Sequence, residues 1–345
     1  MDPELRNTLK SGVAIPAHPL ALDTSGALDL RAQRALTRYY LDAGAHGLAV
    51  GVHTTQFELH HDRGALTEVL QLAVDTAGEQ SNQPIMVAGL TGDLPTAVAE
   101  AELATSLGYH AALLSPWGMT DTNEQVMLER ATAVAQVMPV IGFYLQESVG
   151  GMSLSRDFWK SLFDIEAVVG VKTAPFNRYK TNDVAQILLE HDRWHEVALL
   201  TGNDDAIVHD LITPYLRTVN GQAREVRATG GLLGQWAVGT SAAVDQLNRA
   251  NQAVDSGSIP VDLLNEASAM VEINAAVFDV AHNFAGCVPG VNEVLRQQGL
   301  VSTSNTLGPD MLSAGQTELI AQVRARFPEL LDEEFIASRR DAWLA

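Results

Sequence analysis

Two residues in this chain place a nucleophile and a proton donor at the ends of similar apolar runs. Lys172 lies near the end of Val168-Val169-Gly170-Val171-Lys172-Thr173, and Tyr144 ends Val140-Ile141-Gly142-Phe143-Tyr144, 28 residues earlier. A short apolar run of this kind reads as a buried strand. A lysine in such a run is rarely left without a partner or a task. Burial disfavours the ammonium form, and a neutral amine at pH 7 can attack a carbonyl to form a Schiff base. If the two runs are neighbouring parallel strands, both side chains emerge at one edge, with a hydroxyl beside the amine for proton transfer. Each residue taken alone has a plainer explanation. Lys172 could be a core lysine paired with a carboxylate, and Tyr144 a packed aromatic.

The elements that must hold this pair recur along the chain. Eight apolar runs cover residues 12–19, 47–52, 85–90, 111–116, 140–145, 168–173, 197–201 and 226–233, with starts between 26 and 38 residues apart. That spacing is one strand–helix unit. Helical periodicity fills the gaps over 94–104, 121–137 and 182–191, the first with Asp93 as N-cap and Pro95 in its first turn. Alternating strands and helices imply a parallel sheet covered by helices. Eight such units predict an α/β fold of the (β/α)8 TIM barrel type. A doubly wound open sheet is the alternative, but Ile15-Pro16-Ala17-His18-Pro19 lacks the Gly-rich nucleotide turn expected after its first strand. Past Gly234 the pattern is helical over 241–253, 261–282, 290–298, 313–326 and 329–340. The expected organisation is a catalytic barrel over 1–240 and a C-terminal helical extension over 241–345 packed on it.

In a barrel, catalytic groups come from the C-terminal ends of the strands. That rule selects Thr54, Thr55, Trp117, Tyr144, Lys172, Asn203 and the Gly230-Gly231 pair. His53-Thr54-Thr55-Gln56 could bind a carboxylate through hydroxyls and backbone N–H groups, or simply cap a helix. His53 could be an acid–base group or a hydrogen-bonded structural histidine. Gly230 lies where barrels often bind phosphate, although close backbone packing explains it equally. Arg178 and Lys180 are the nearest cations in sequence after Lys172. No His-Glu-x-x-His or Cys-x-x-Cys spacing exists, so no metal is expected.

Composition narrows the classes. The chain has 345 residues, 46% of them hydrophobic, and a net charge of −20. Such acidity argues against nucleic-acid binding, which wants a basic face. No apolar stretch is long enough to span a membrane, and residues 1–12 have no apolar signal region. A single cysteine, Cys287, suits a reducing compartment, so a cytoplasmic location is expected.

The pair and its spacing resemble the dihydrodipicolinate synthase/N-acetylneuraminate lyase family of class I, Schiff-base aldolases, of which this chain would be a divergent member. Gly142-Phe143-Tyr144 and Gly170-Val171-Lys172-Thr173 carry the resemblance, and residues 50–59 are similar to the family's Gly-Thr-Thr-Gly-Glu segment. The resemblance implies that Lys172 forms an iminium with an α-keto acid such as pyruvate and that Tyr144 relays protons. It also implies that Thr54 and Thr55 hold the carboxylate, with His53 and Gln56 on flanking family positions. It calls for no cofactor. It implies a small-molecule α-keto acid and an aldehyde or sugar acid as partners, and a homodimer or homotetramer. Two departures stand out. Pro116-Trp117-Gly118-Met119 lacks the synthase's tyrosine pair, and Val149 stands where the synthase has an arginine for a distal carboxylate. The chain is therefore not expected to make dihydrodipicolinate. The other half of its substrate would be uncharged or bound by His53, Gln146 or Arg178, with Glu147 repelling an anionic tail and Trp117 a further substrate-binding residue.

The expected function is thus a lyase or aldolase acting on a pyruvate-type keto acid or its aldol adduct. A sugar-acid dehydratase would use the same lysine. A non-catalytic keto-acid binder or degenerate homologue is the alternative from another class, and a metal-dependent barrel hydrolase is a third.

Overall fold

A computed structural model describes residues 3–80 and 83–345. Its strands are β1 (Ala14–Pro16), β2 (Gly47–Val50), β3 (Ile85–Leu90), β4 (Ala111–Leu114), β5 (Val140–Leu145), β6 (Val168–Ala174), β7 (Ala198–Thr201), β8 (Tyr215–Val219), β9 (Gln222–Val226) and β10 (Ala228–Leu233). Eight of them form one parallel sheet in the order β1-β10-β7-β6-β5-β4-β3-β2. A parallel bridge between Ala17 and Ala49 joins the two ends. His18 N–H to Ala49 O (2.8 Å) and His46 N–H to Ala14 O (2.9 Å) complete the closure. This is the (β/α)8 barrel, and each expected apolar run contributes one of its strands.

Strands buried on both faces read as continuous apolar runs, and two hydrophobic layers account for that here. Ile15, Ala49, Val87, Leu113, Ile141, Phe143, Val169 and Leu200 fill the interior. Val50, Ala88, Leu114, Tyr144, Val171 and Leu199 pack outward against the helices. Leu5 and Leu9 of the helix Pro3–Ser11 join the interior layer.

β8 and β9 form an antiparallel hairpin that the strand-helix pattern did not anticipate. Val219 pairs with Gln222, leaving Asn220 and Gly221 as a two-residue turn with φ of 50° and 80°. Asn-Gly is the residue pair such a turn favours. Helix bounds also differ. The stretch expected over 121–137 is Glu124–Ala135, and that over 182–191 begins earlier, at Arg178. Asp93 precedes the helix Leu94–Leu107 but caps nothing with its side chain, which accepts instead from Thr120 N–H and Oγ1–H.

Five helices follow the barrel: Thr240–Ser256, Val261–Val277, Cys287–Gln297, Gln316–Arg326 and Glu333–Trp343. The last packs on the helix Leu30–Asp42, where Trp343 Nε1–H donates to Asp42 Oδ2 (2.6 Å). Segments between the others bring Phe278, Phe284 and Cys287 to the carboxyl end of the barrel.

Candidate active site

Lys172 points into the barrel near the carboxyl end of β6 and is 9% exposed. It lines a small cavity of about 50 Å³ with Thr54, Phe143, Gly202, Asp204 and Phe278. At roughly 10–15 Å³ per water, that space holds about four waters. Gly202 makes room for the lysine stem. A Cβ there would lie 2.4 Å from Lys172 Cε and 2.8 Å from Ala174 Cβ. The lysine amine sits over the Phe143 ring, 4.5 Å from its centre.

Tyr144 is not beside Lys172, which corrects the expectation from the 28-residue interval. Val140 pairs with Val168, but Ile141 pairs with Gly170, so the register slips by one at Val169-Gly170. The slip sets Phe143 opposite Lys172 and Tyr144 opposite Thr173. A one-residue slip turns every later side chain to the other face of the sheet. Val169 accordingly packs inside the barrel and Val171 outside. The extra residue is in β6, so it is Lys172 that turns inward, while Tyr144 keeps the outer face set by the regular alternation of β5, its ring 5.1 Å from that of Trp159 in the helix Arg156–Asp164. It lines a separate open groove of about 460 Å³ with Gln146, Phe176, Lys180, Val271 and Phe284. The two cavities share Leu145, Gln146 and Phe176.

Asp204, absent from the residues picked out by the strand-end rule, is the carboxylate of the lysine cavity. It is buried, and Oδ1 accepts from Gln235 N–H at 2.9 Å. Burial pulls the Lys172 amine down to about 8 and pushes Asp204 up to about 7; their mutual attraction opposes both shifts. His53 also lines the cavity, and burial reinforced by the Lys172 charge lowers it to about 4. The Cys287 thiol is pushed far up by burial and by Asp204, so it stays protonated.

The turn after β2 divides its residues. Thr54 faces the cavity, while its hydroxyl donates to Ala17 O (2.8 Å). Thr55 is turned into its own loop, donating to His18 O (2.6 Å) and accepting from Gly51 and Val52 N–H. It braces the loop and is not at the cavity. Gln56 has φ 69° and accepts from Leu307 N–H (2.6 Å); its amide nitrogen is buried without a partner. Gln56, His53 and Trp117 line a third cavity, of about 240 Å³, where Trp117 stacks on Phe57. Trp117 does not reach the lysine cavity.

Two further expected site residues lie elsewhere. Arg178 pairs with Asp210, which also accepts from Thr201 Oγ1–H, and donates to the Tyr215 hydroxyl (3.3 Å); it does not line the lysine cavity. Gly230 sits within β10, where a Cβ would be 2.1 Å from Val13 O. Close strand approach requires that glycine. Asn203 holds a loop: Oδ1 accepts from Phe176 N–H (3.0 Å), fixing Phe176 at φ 48°, and Nδ2 donates to Asp210 and Thr181. Lys180 is the cation of the outer groove and pairs with Glu147 at 2.5 Å, which offsets the repulsion expected from that carboxylate. Among the described residues, no group of three His, Cys, Asp or Glu side chains is placed to hold a metal ion, and no helix is long and apolar enough to cross a membrane.

Residues 10–228, well over half of the chain, match the model of the dihydrodipicolinate synthetase family. No curated protein sequence is a significant match. Solved structures of similar fold include N-acetylneuraminate lyase from Fusobacterium nucleatum complexed with pyruvate, at TM-score 0.74 and 15% identity, covering 94% of this chain and 99% of that one. Dihydrodipicolinate synthase from Oceanobacillus iheyensis has TM-score 0.73 and 15% identity over the same shares. YagE from E. coli K12, a prophage protein of the dihydrodipicolinic acid synthase family complexed with pyruvate, has TM-score 0.74 and 16% identity, covering 92% and 98%. At these identities the likeness is one of fold.

Proposed function

The chain belongs to the dihydrodipicolinate synthetase family, and from that premise we propose that it is a lysine-dependent lyase or aldolase acting on a small α-keto acid or its aldol adduct. The observation that carries this reading is Lys172 itself. It is a buried amine at the mouth of a closed parallel barrel, lowered to about 8, in a cavity sized for a few non-hydrogen atoms.

In this reading the neutral amine attacks the ketone carbon. The carbinolamine loses water to give an iminium, which takes up the electron pair of the C3–C4 bond in an aldol cleavage, or of a C3–H bond in a dehydration, where the enamine then expels the C4 hydroxyl as water. The keto-acid carboxylate lies against Thr54 and the backbone amides of His53 and Thr54, the Thr55 amide being bonded to Val52 O. The Thr54 hydroxyl proton already serves Ala17, so the backbone is the donor left to it. A pyruvate-sized fragment fits the lysine cavity, and any longer chain must extend through Gln146 and Phe176 into the outer groove. Aldol chemistry and dehydration of a sugar acid both use this lysine. Dihydrodipicolinate synthesis is not proposed, because Val149 and Gly118 stand where the synthase has an arginine and a tyrosine.

The outward turn of Tyr144 favours a second reading: a keto-acid binder that forms the iminium and goes no further. Borohydride reduction in the presence of pyruvate, followed by intact mass and peptide mapping, tests the first step. A pyruvate-sized adduct on Lys172 is the expected result. No adduct with pyruvate or with longer keto acids would sink the Schiff-base reading.

A further inference from the structure

We propose that Asp204 is the acid–base residue of this site, exchanging protons with the iminium held on Lys172. The inference rests on the Schiff-base reading and adds the group that makes such an intermediate react.

The cavity leaves few candidates. Tyr144 is on the other face of the sheet and does not line it. Of the titratable groups that do, beside Lys172, three remain: His53, Asp204 and Cys287. Cys287 holds its proton too firmly to give it up, and His53 carries none to give near neutral pH. Asp204 is also held in place. It follows Gly202, which lies against the lysine stem, and Gln235 N–H fixes Oδ1. A buried carboxylate lining the same small cavity as a buried amine is poised near neutrality, where proton transfer in both directions is efficient.

The steps balance as follows. Protonated Asp204 gives its proton to the carbinolamine hydroxyl, which leaves as water while the nitrogen lone pair forms the C=N bond. The resulting Asp204 carboxylate takes a proton from the adjacent carbon, C3. The C–H pair becomes the C2–C3 double bond, and the iminium pair returns to the Lys172 nitrogen as a neutral enamine. Return of the proton to C3 reverses the step.

Exchange of the pyruvate methyl protons in D₂O, followed by NMR, reads this transfer directly. The wild-type protein should exchange them and Lys172→Ala should not. Asp204→Asn, which keeps the shape and the bond to Gln235, should slow exchange by about 10²–10⁴ while the Lys172 adduct still forms, more slowly than in wild type, with water supplying the proton. Asp204→Glu should retain more exchange than the asparagine variant. Loss of the adduct in Asp204→Asn but not in Asp204→Glu would also support the assignment, because proton delivery to the departing water would then be the step lost. Exchange within about threefold of wild type in Asp204→Asn would overturn it, as would loss of the adduct in both variants, which marks a purely structural carboxylate. Absence of an adduct in the wild type would instead remove the Schiff-base reading, and this inference with it.

Discussion

Phe143 and Lys172 face each other across β5 and β6, with the amine 4.5 Å from the ring centre, and the tyrosine next in sequence faces away. The aromatic face favours the ammonium form, against the desolvation that favours the neutral amine. A hydroxyl on the opposite face of the sheet cannot reach the C2 oxygen of a substrate held on Lys172. Tyr144→Phe is therefore expected to change the rate of pyruvate adduct formation by less than about threefold, far below the 10²–10⁴ of a positioned acid–base group. Stopped borohydride trapping over time checks this. A loss in the larger range would show that the tyrosine does act on the iminium.

Glycines separate site from scaffold. Gly202→Ala puts a methyl group against Lys172 Cε and Ala174. It should cut adduct formation at least tenfold while leaving a folded protein, because the long lysine stem can swing aside and the Ala174 contact asks only a small shift at the strand end. Gly230→Ala meets the backbone of Val13, which cannot yield without parting β1 from β10. Its expected effect is loss of stability, on the order of 2 kcal/mol or more, with no selective effect on the lysine. Urea midpoints and adduct yields measured on both variants distinguish the two roles. A stable Gly230→Ala protein that fails to bind keto acid would restore the phosphate-type role considered for that turn.

Much of this architecture was legible in the sequence, because a parallel barrel writes each strand as an unbroken apolar run. Lys172 was legible for the same reason: a charge stands out in such a run. The facing of Tyr144 was not, since the interval argument assumed constant register between β5 and β6. Gly170 inside a run of valines was the available sign of a bulge. Asn220-Gly221 was likewise a visible hairpin signal that strand–helix counting passed over. Asp204 lies in the polar string Asn203-Asp204-Asp205 after β7, and only the folded loop decides which of the three turns inward. The inward reach of Phe278 and Cys287 depends on packing between elements distant in sequence and leaves no local pattern.

The lysine and its carboxylate make a pH prediction with a defined sign. Above about pH 8 the Lys172 amine is neutral, and below it the reactive fraction falls tenfold per unit, while the protonated Asp204 that expels water is lost above about 7, so adduct formation should pass through a maximum between about pH 7 and 8. The negative Asp204 raises the lysine pKa, so removing that charge lowers it further. In Asp204→Asn the rise should shift to lower pH. Initial trapping rates at saturating pyruvate from pH 6 to about 10 measure both curves. A shift to higher pH would mean that the two side chains do not interact as placed.

A buried and a half-buried histidine should make the fold sensitive to mild acid. His18 lies wholly within the core, with Nδ1 near Pro19 O and Gln33 and Nε2 near the Thr37 hydroxyl, and burial lowers it from 6.5 to about 4. His53 is lowered to the same extent. For a group whose folded pKa is depressed, the unfolded chain binds the proton first. The stabilisation is therefore present above about pH 6.5 and is lost as pH falls towards 4. His18 accounts for about 3 kcal/mol across that window, at roughly 1.4 kcal/mol per pKa unit, and the half-buried His53 for less. His18→Gln lacks the titrating ring but offers similar hydrogen-bonding groups to Gln33 and Thr37. It should be less stable than wild type at pH 7, yet lose about 3 kcal/mol less between pH 6.5 and 4. Paired urea titrations across that range isolate this histidine from the carboxylates, which titrate alike in both proteins. Parallel stability curves would show that His18 is charged, or exposed, in the folded chain.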